Sequence, residues 1–199
     1  MPALPWNAPP GTAGLIFDCD GTLADTMPAH FRAWTAMLEP HRIPFPEDRF
    51  YAMGGMPTSR IIRLLAADAG VEVGDVEAMV HEKERLFVQH LESVQPIVPV
   101  VAIAQRYRGA LPMAVASGGY REIVGMTLDR LQLRDWFGAM VAAEDTERHK
   151  PEPDVFLEAA RRIGVPAAAC VVFEDTELGL EAARRAGMLG VDVRPWGKV

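Results

Sequence analysis

The chain has 199 residues, 49% of them hydrophobic, with 20 basic against 27 acidic side chains and a net charge of −7. This length and composition suit one or two soluble domains, and an acidic chain has no overall field to attract nucleic acid, so an anionic ligand must be held by a local group of donors. Two cysteines, Cys19 and Cys170, are too few for a disulfide framework or a zinc cage and read as buried free thiols of a cytoplasmic protein, and the longest apolar stretch, Ile97–Ala104, contains Pro99 and is too short to span a bilayer.

The first fourteen residues, MPALPWNAPPGTAG, are rich in Pro and Gly, lack a basic region and a long apolar run, and read as a loose start rather than a signal peptide. Gly14–Cys19 follows as a nearly continuous apolar run, the pattern of a strand buried on both faces. From Met27 to Gln95 the pattern becomes helical throughout. Phe31, Trp34, Met37 and Leu38 share one face; Ile61, Ile62, Leu64 and Leu65 form a second stripe; Val76, Met79, Val80, Phe87 and Leu91 form a third. Lys83 falls on that third stripe, where it either snorkels at the edge or points into a cleft. After Pro96 and Pro99 the strand–helix rhythm resumes. Strands are expected at Pro112–Ser117, Ala139–Ala143, Cys170–Glu174 and Met188–Val193, with helices at Arg121–Leu131, Asp154–Ile163 and Leu178–Ala186. No internal repeat is evident. The expected fold is a doubly wound, parallel-sheet, Rossmann-like α/β core (residues 1–26 and 96–199) interrupted by a helical cap (27–95). The insertion leaves from the C-terminal end of the first strand, where open α/β sheets bind ligands.

Acids collect at the predicted strand ends. Asp18 and Asp20, two apart, would project to one side of extended chain, an arrangement that is costly without a cation or a shared proton. Such a pair is common in surface turns, but this one ends an apolar run. Glu174 and Asp175 close the run CVVFED in the same way. Four carboxylates at one sheet edge would make a hard oxygen site suited to Mg²⁺; the competing role for Asp175 is to cap the following helix. Ser117-Gly118-Gly119 ends another strand, where a hydroxyl and exposed backbone N–H groups can hold a phosphate oxygen or simply make a turn. Of the 20 basic residues only Lys83, Lys150 and Lys198 are lysines. Lys150, fixed in HKPEPDVF between His149 and two prolines, suits a positioned point charge; Lys198 beside the C-terminus reads as solvated.

In chain order the motifs are Asp-x-Asp-Gly-Thr, Ser-Gly, Lys-Pro and Glu-Asp. This ordered set resembles the haloacid dehalogenase superfamily of phosphohydrolases, over essentially the whole chain from Gly14. The words LIFDCDGTLADT, HFRAW, HKPEPDVF and VVFEDTELGLEAARRAGM resemble its beta-phosphoglucomutase group, most of all the fructose-1-phosphatase-like phosphatases.

The resemblance implies Mg²⁺-dependent hydrolysis of a small sugar phosphate, fructose-1-phosphate-like. Asp18 would attack phosphorus and form an aspartyl-phosphate. Asp20 would serve as general acid and then general base. Ser117, Gly118 and Lys150 would grip the phosphoryl oxygens. The metal would be held by Asp18, Asp20 through its backbone carbonyl, and Asp175, with Glu174 a ligand or an orienting group. Substrate contacts are expected from the cap: His30, which could touch Asp20 or merely end a helix, Lys83, Arg60 and Thr58. Where the mutase carries an arginine for the second phosphate, this chain has Thr58, with Arg60 two residues on. The expected partner is a small phosphorylated metabolite, without nucleic acid or membrane, and the chain is read as a monomer or weak dimer. A sugar-phosphate mutase of the same fold is the alternative, and a receiver-like phospho-acceptor module is a distant third.

Overall fold

A computed structural model describes residues 5–196. Lys198 lies outside them. Five parallel strands form one sheet in the order β5-β4-β1-β6-β7. They are β1 (Gly14–Phe17), β4 (Met113–Ala116), β5 (Ala139–Val141), β6 (Cys170–Glu174) and β7 (Leu189–Asp192). β1 is central and pairs with β4 on one side and β6 on the other, Phe17 standing opposite Val115 and Phe173. All residues of β1, β4 and β6 are buried. Period-2 alternation then sends neighbours to opposite faces. Leu15, Phe17, Val115 and Phe173 pack beneath α5 (Val98–Tyr107) and α6 (Arg121–Arg130). Ile16, Ala114 and Val172 pack beneath α7 (Asp154–Arg162) and α8 (Glu177–Arg185). Helices on both faces make this the expected doubly wound α/β fold.

The strands end earlier than their apolar runs. β1 stops at Phe17 rather than Cys19, and β4 at Ala116 rather than Ser117. The residues beyond are those that leave the sheet to build the site described below. β7 is an edge strand, only partly buried, with Leu189 exposed. The run Ile97–Ala104, too short for a bilayer, is largely α5, with Pro99 in its first turn where a missing N–H costs nothing. Among the described residues no helix is long and apolar enough to cross a membrane.

Between β1 and α5 the chain is helical: α1 (Met27–Leu38), α2 (Glu47–Ala52), α3 (Thr58–Ala69) and α4 (Val76–Val88). Their apolar stripes form a separate cluster around Trp34, Leu38, Ile62 and Val80. The chain enters and leaves this block through two short antiparallel strands, β2 (Ala24–Asp25) and β3 (Gln95–Pro96). The two linkers are thus tied together beside the C-terminal end of β1.

The start of the chain differs from expectation. Residues 1–4 lie outside the described residues, but Trp6 is packed into the sheet core. Its ring meets Phe173 edge-on at 4.9 Å and Tyr107 at 5.9 Å, and the Ala8 N–H donates to the Tyr107 hydroxyl at 2.8 Å. Composition signals a loose segment because Pro and Gly dominate it, yet one large aromatic side chain suffices to anchor it. Trp6→Ala is therefore expected to lower stability by about 2 kcal/mol, less than full burial would give because the ring is only partly covered. Urea unfolding checks this; a loss below about 0.5 kcal/mol, the scale of an ordinary surface substitution, would show that the arm is not docked.

Candidate active site

Four segments deliver acids, a hydroxyl and an ammonium group to the C-terminal edge of the sheet. β1 leads into Asp18, β4 into Ser117, β6 ends at Glu174, and the loop after β5 carries Lys150. All four are buried. The Lys150 ammonium donates to Asp18 Oδ1 and to Glu174 Oε2, both at 2.7 Å, and lies over the Phe156 ring at 5.1 Å. Burial opposes its charge, but Asp18 and Glu174 outweigh this and hold the ammonium protonated well above the usual lysine range.

Glu174 is completely enclosed. Its Oε1 accepts from the Asp175 N–H, the Thr176 N–H and the Thr176 hydroxyl at 3.1, 2.9 and 2.8 Å. With Lys150 on the other oxygen, this carboxylate is strongly oriented. The Thr176 hydroxyl also accepts from the Gly179 N–H at 3.0 Å, so Thr176 rather than Asp175 caps α8. Asp175 is left to face the cleft, its Oδ1 accepting from the Thr22 hydroxyl at 3.2 Å. Two glycines permit this packing. A Cβ at Gly179 would collide with the Glu174 carboxylate, and one at Gly21 (φ +77°) with that of Asp175.

Asp18, Glu174 and Asp175 each offer an oxygen within 4.8 Å of the others. The Asp20 carboxylate is not in this group; its place in the expected ligand set is through the backbone. Burial first, then Glu174, Asp175 and Asp20, raise the Asp18 carboxyl well above its usual range, against the pull of Lys150. Burial and then Glu174 push Asp175 up to about 8, against Lys150 and Thr22. One ammonium group is too little charge for this many buried carboxylates. The set consists of hard oxygens, and it fits Mg²⁺ in donor type and in excess charge.

Asp20 behaves differently. Its Oδ1 accepts from the Thr26 hydroxyl at 2.8 Å and lies 3.3 Å from His30 Nε2. Lys83 Nζ is 3.0 Å from His30 Nδ1 and donates to Glu84 Oε1 at 2.9 Å. An ammonium group can only donate, so Nδ1 is the acceptor and the ring proton sits on Nε2, directed at Asp20. Burial, then Lys83, keep the His30 pKa below its ordinary value, against Asp20. Burial alone would raise the Asp20 carboxyl; His30, Thr26 and Lys83 overcome this and hold it down at about 2. Lys83 therefore points inward from α4 instead of snorkelling. His30 stacks on Phe87 at 4.0 Å.

The cleft between the sheet edge and the helical block is lined by Asp18, Asp20, Ser117, Gly118, Lys150, Glu174 and Asp175, and by His30, Lys83 and Thr58. The structure brings these predicted residues together. Arg60 is exposed and outside the lining. Sequence reasoning missed Thr22 and Thr26 as hydrogen-bond donors, Thr176 and Gly179 as supports of Glu174, and Glu84. It also missed Glu144, whose carboxylate accepts from the Arg121 N–H at 3.0 and 3.1 Å and caps the helix after the Ser117 loop. The Ser117 hydroxyl itself accepts from the Gly119 N–H at 3.0 Å. The threonines stand within the quoted motif words; Glu144 carries no signal before the fold is known.

The acid cluster implies a pH dependence. The folded protein without metal keeps the Asp175 proton up to about pH 8, whereas the unfolded chain releases it near pH 4. The folded state binds more protons across that window, so stability falls as pH rises through it. In chelator, the unfolding midpoint should drop between about pH 5 and pH 8. Mg²⁺ should raise it, and more at the higher pH. An equal metal effect at both pH values would contradict the assignment.

Comparison with known proteins agrees with this arrangement. The family description "haloacid dehalogenase-like hydrolase" matches residues 12–187. The chain is 42% identical over 183 residues to the fructose-1-phosphate phosphatase YqaB of Escherichia coli (strain K12), covering 92% of this chain and 96% of that enzyme. It is 29% identical over 187 residues to the beta-phosphoglucomutase of Bacillus subtilis (strain 168), covering 90% and 82%. The crystal structure of a hydrolase from Pseudomonas syringae superposes with a TM-score of 0.83 at 26% identity, over 94% of this chain and 87% of that one. With its acids gathered at the end of a central parallel strand and a match along nearly its whole length, the chain belongs to the haloacid dehalogenase-like hydrolases, on the phosphatase side of the family.

Proposed function

We propose that this enzyme hydrolyses the phosphate ester of a small sugar, fructose-1-phosphate-like, with Mg²⁺ and through an aspartyl-phosphate on Asp18. The observation that carries the reading is the contrast between two aspartates two residues apart. Asp18 is enclosed with Lys150, Glu174 and Asp175, whereas Asp20 is turned to Thr26 and His30. One is equipped as a nucleophile, the other to move protons.

Mg²⁺, held by Asp18, the Asp20 backbone carbonyl and Asp175, would offset negative charge on the phosphoryl group and keep Asp18 ionised. Glu174, already bonded on both oxygens, supports Lys150 and the backbone of residues 175 and 176. Asp18 attacks phosphorus, and the bond to the ester oxygen breaks. Asp20 gives its proton to that departing oxygen. The phosphoryl dianion beside Asp20 raises a carboxyl that is otherwise held low, so the acid form becomes available in the bound complex. Asp20, again a carboxylate, then takes a proton from water as the water oxygen bonds phosphorus and the bond to Asp18 breaks. Ser117, the Gly118 backbone and Lys150 hold the phosphoryl oxygens.

Residues 27–95 would act as the cap that supplies substrate contacts, on a core of 1–26 and 96–199. A mutase must also grip a second phosphate. The two lysines of the cleft are already bonded to carboxylates, Thr58 lines it, and Arg60 is exposed elsewhere. These features favour a phosphatase over the mutase, and the family match leaves the receiver-like reading without support. Free, buried Cys19 and Cys170 support a reducing, cytoplasmic setting, and we read the protein as a monomer or weak dimer acting on a small metabolite.

Purified protein should release phosphate from small sugar phosphates with Mg²⁺ and lose the activity in chelator. Asp18→Asn should abolish it, and Asp20→Ala should cost about 10²–10⁴-fold in turnover. Phosphate release assayed over a panel of esters checks this; a panel without turnover in the presence of metal overturns the reading. Isomer formed without free phosphate would select the mutase.

A further inference from the structure

One largely covered group in the cleft has no part in the reaction above. Glu84, on α4, has a side chain only 14% exposed. Its Oε1 accepts from Lys83, while Oε2 is fully buried and has no hydrogen-bond partner among the described residues. Buried polar atoms in native proteins are almost always paired, and a carboxylate oxygen stripped of water is among the costliest to leave bare. Glu84 lines the same cleft as Asp18 and Ser117, on a wall that also carries the apolar side chains of Trp34, Phe50 and Met56.

The charges around it point the same way. Five carboxylates line the cleft: Asp18, Asp20, Glu84, Glu174 and Asp175. Lys83 and Lys150 oppose them, and no arginine is among the described residues of the lining. Asp18, Glu174 and Asp175 face the reacting end. Glu84 belongs to the helical block instead, where the alcohol half of a substrate would lie. A second anion on that half would meet a desolvated carboxylate, and among the described residues of the lining no cation is free to receive it. A hydroxyl would instead supply the missing donor.

Resting on the phosphatase reading, we propose that Glu84 sets the specificity of this site: on substrate binding its carboxylate, whose Oε2 is covered in the free protein, accepts a hydrogen bond from a hydroxyl of the alcohol half, and its charge rejects esters whose alcohol half carries a second anionic group.

The test compares kcat/KM within two pairs of esters that differ by one anionic group: fructose 1-phosphate with fructose 1,6-bisphosphate, and glucose 6-phosphate with 6-phosphogluconate. The wild type should prefer the neutral partner of each pair. Glu84→Gln should narrow that preference by roughly tenfold, through loss of the charge repulsion. Glu84→Asp keeps the charge and should keep the rejection while weakening turnover of the neutral esters. Thermal unfolding of both variants establishes that they fold, and a preference lost in Glu84→Asp as fully as in Glu84→Gln would also overturn the proposal. A role confined to supporting Lys83 or the helix would lower both members of a pair in parallel. An unchanged ratio in Glu84→Gln, or equal turnover of both partners by the wild type, overturns the proposal. Absence of phosphate release from every ester by the wild type would overturn the phosphatase reading itself, a result distinct from an unchanged ratio.

Discussion

The buried ammonium of Lys150, bonded at once to Asp18 and Glu174, is the contact around which the rest of the structure is arranged. It joins the ends of two adjacent parallel strands to a loop more than a hundred residues from the first of them in sequence. Removing either kind of partner would leave an uncompensated buried charge, the costliest defect a core can carry. Yet a single lysine does not balance the acids around it. The buried carboxyl of Asp18 and the partly buried one of Asp175 resist ionising, and that residual strain makes the edge of the sheet a place where a divalent cation is favoured. Stability and binding are two sides of one imbalance.

The same edge is coupled to the helical block by a second run of polar contacts. Glu84, Lys83 and His30 belong to that block, and they end on Asp20. The position of the proton on His30 follows from its neighbours, since Lys83 can only donate. Before substrate binds, a carboxylate in this setting is kept ionised and directional, in contrast to Asp18 two residues earlier. Two aspartates of the same motif thus acquire opposite acid–base character from opposite walls of the cleft. The short pairing of β2 with β3 ties both linkers of the block together beside them.

Much of the fold was legible because its strands are buried on both faces. The runs at Gly14, Pro112 and Cys170 are apolar enough to stand out, and they coincide with β1, β4 and β6. The run Met188–Val193 stands out less, because β7 is a partly exposed edge. The Trp6 contact was not legible, since Pro and Gly mask one anchoring ring in a composition count. Asp18, Asp20, Glu174 and Asp175 were visible because acids ending apolar runs are unusual. Thr176 and Glu144 were not, because their roles depend on where their partners fold. Arg60 shows the opposite limit: its spacing near Thr58 suggested the cleft, but its turn of α3 carries it to the exposed side. Helical periodicity ranks faces by apolarity and does not say which charged residue turns toward a neighbouring domain.

The central claim is that Asp18 becomes covalently phosphorylated during turnover. Rapid acid quench of the enzyme during hydrolysis of a ³²P-labelled sugar phosphate tests it most directly. The account predicts label on the protein that survives acid, is released by hydroxylamine, maps to the peptide containing Asp18 and is missing from Asp18→Asn. Turnover without any protein-bound label, or equal labelling of Asp18→Asn, would contradict it.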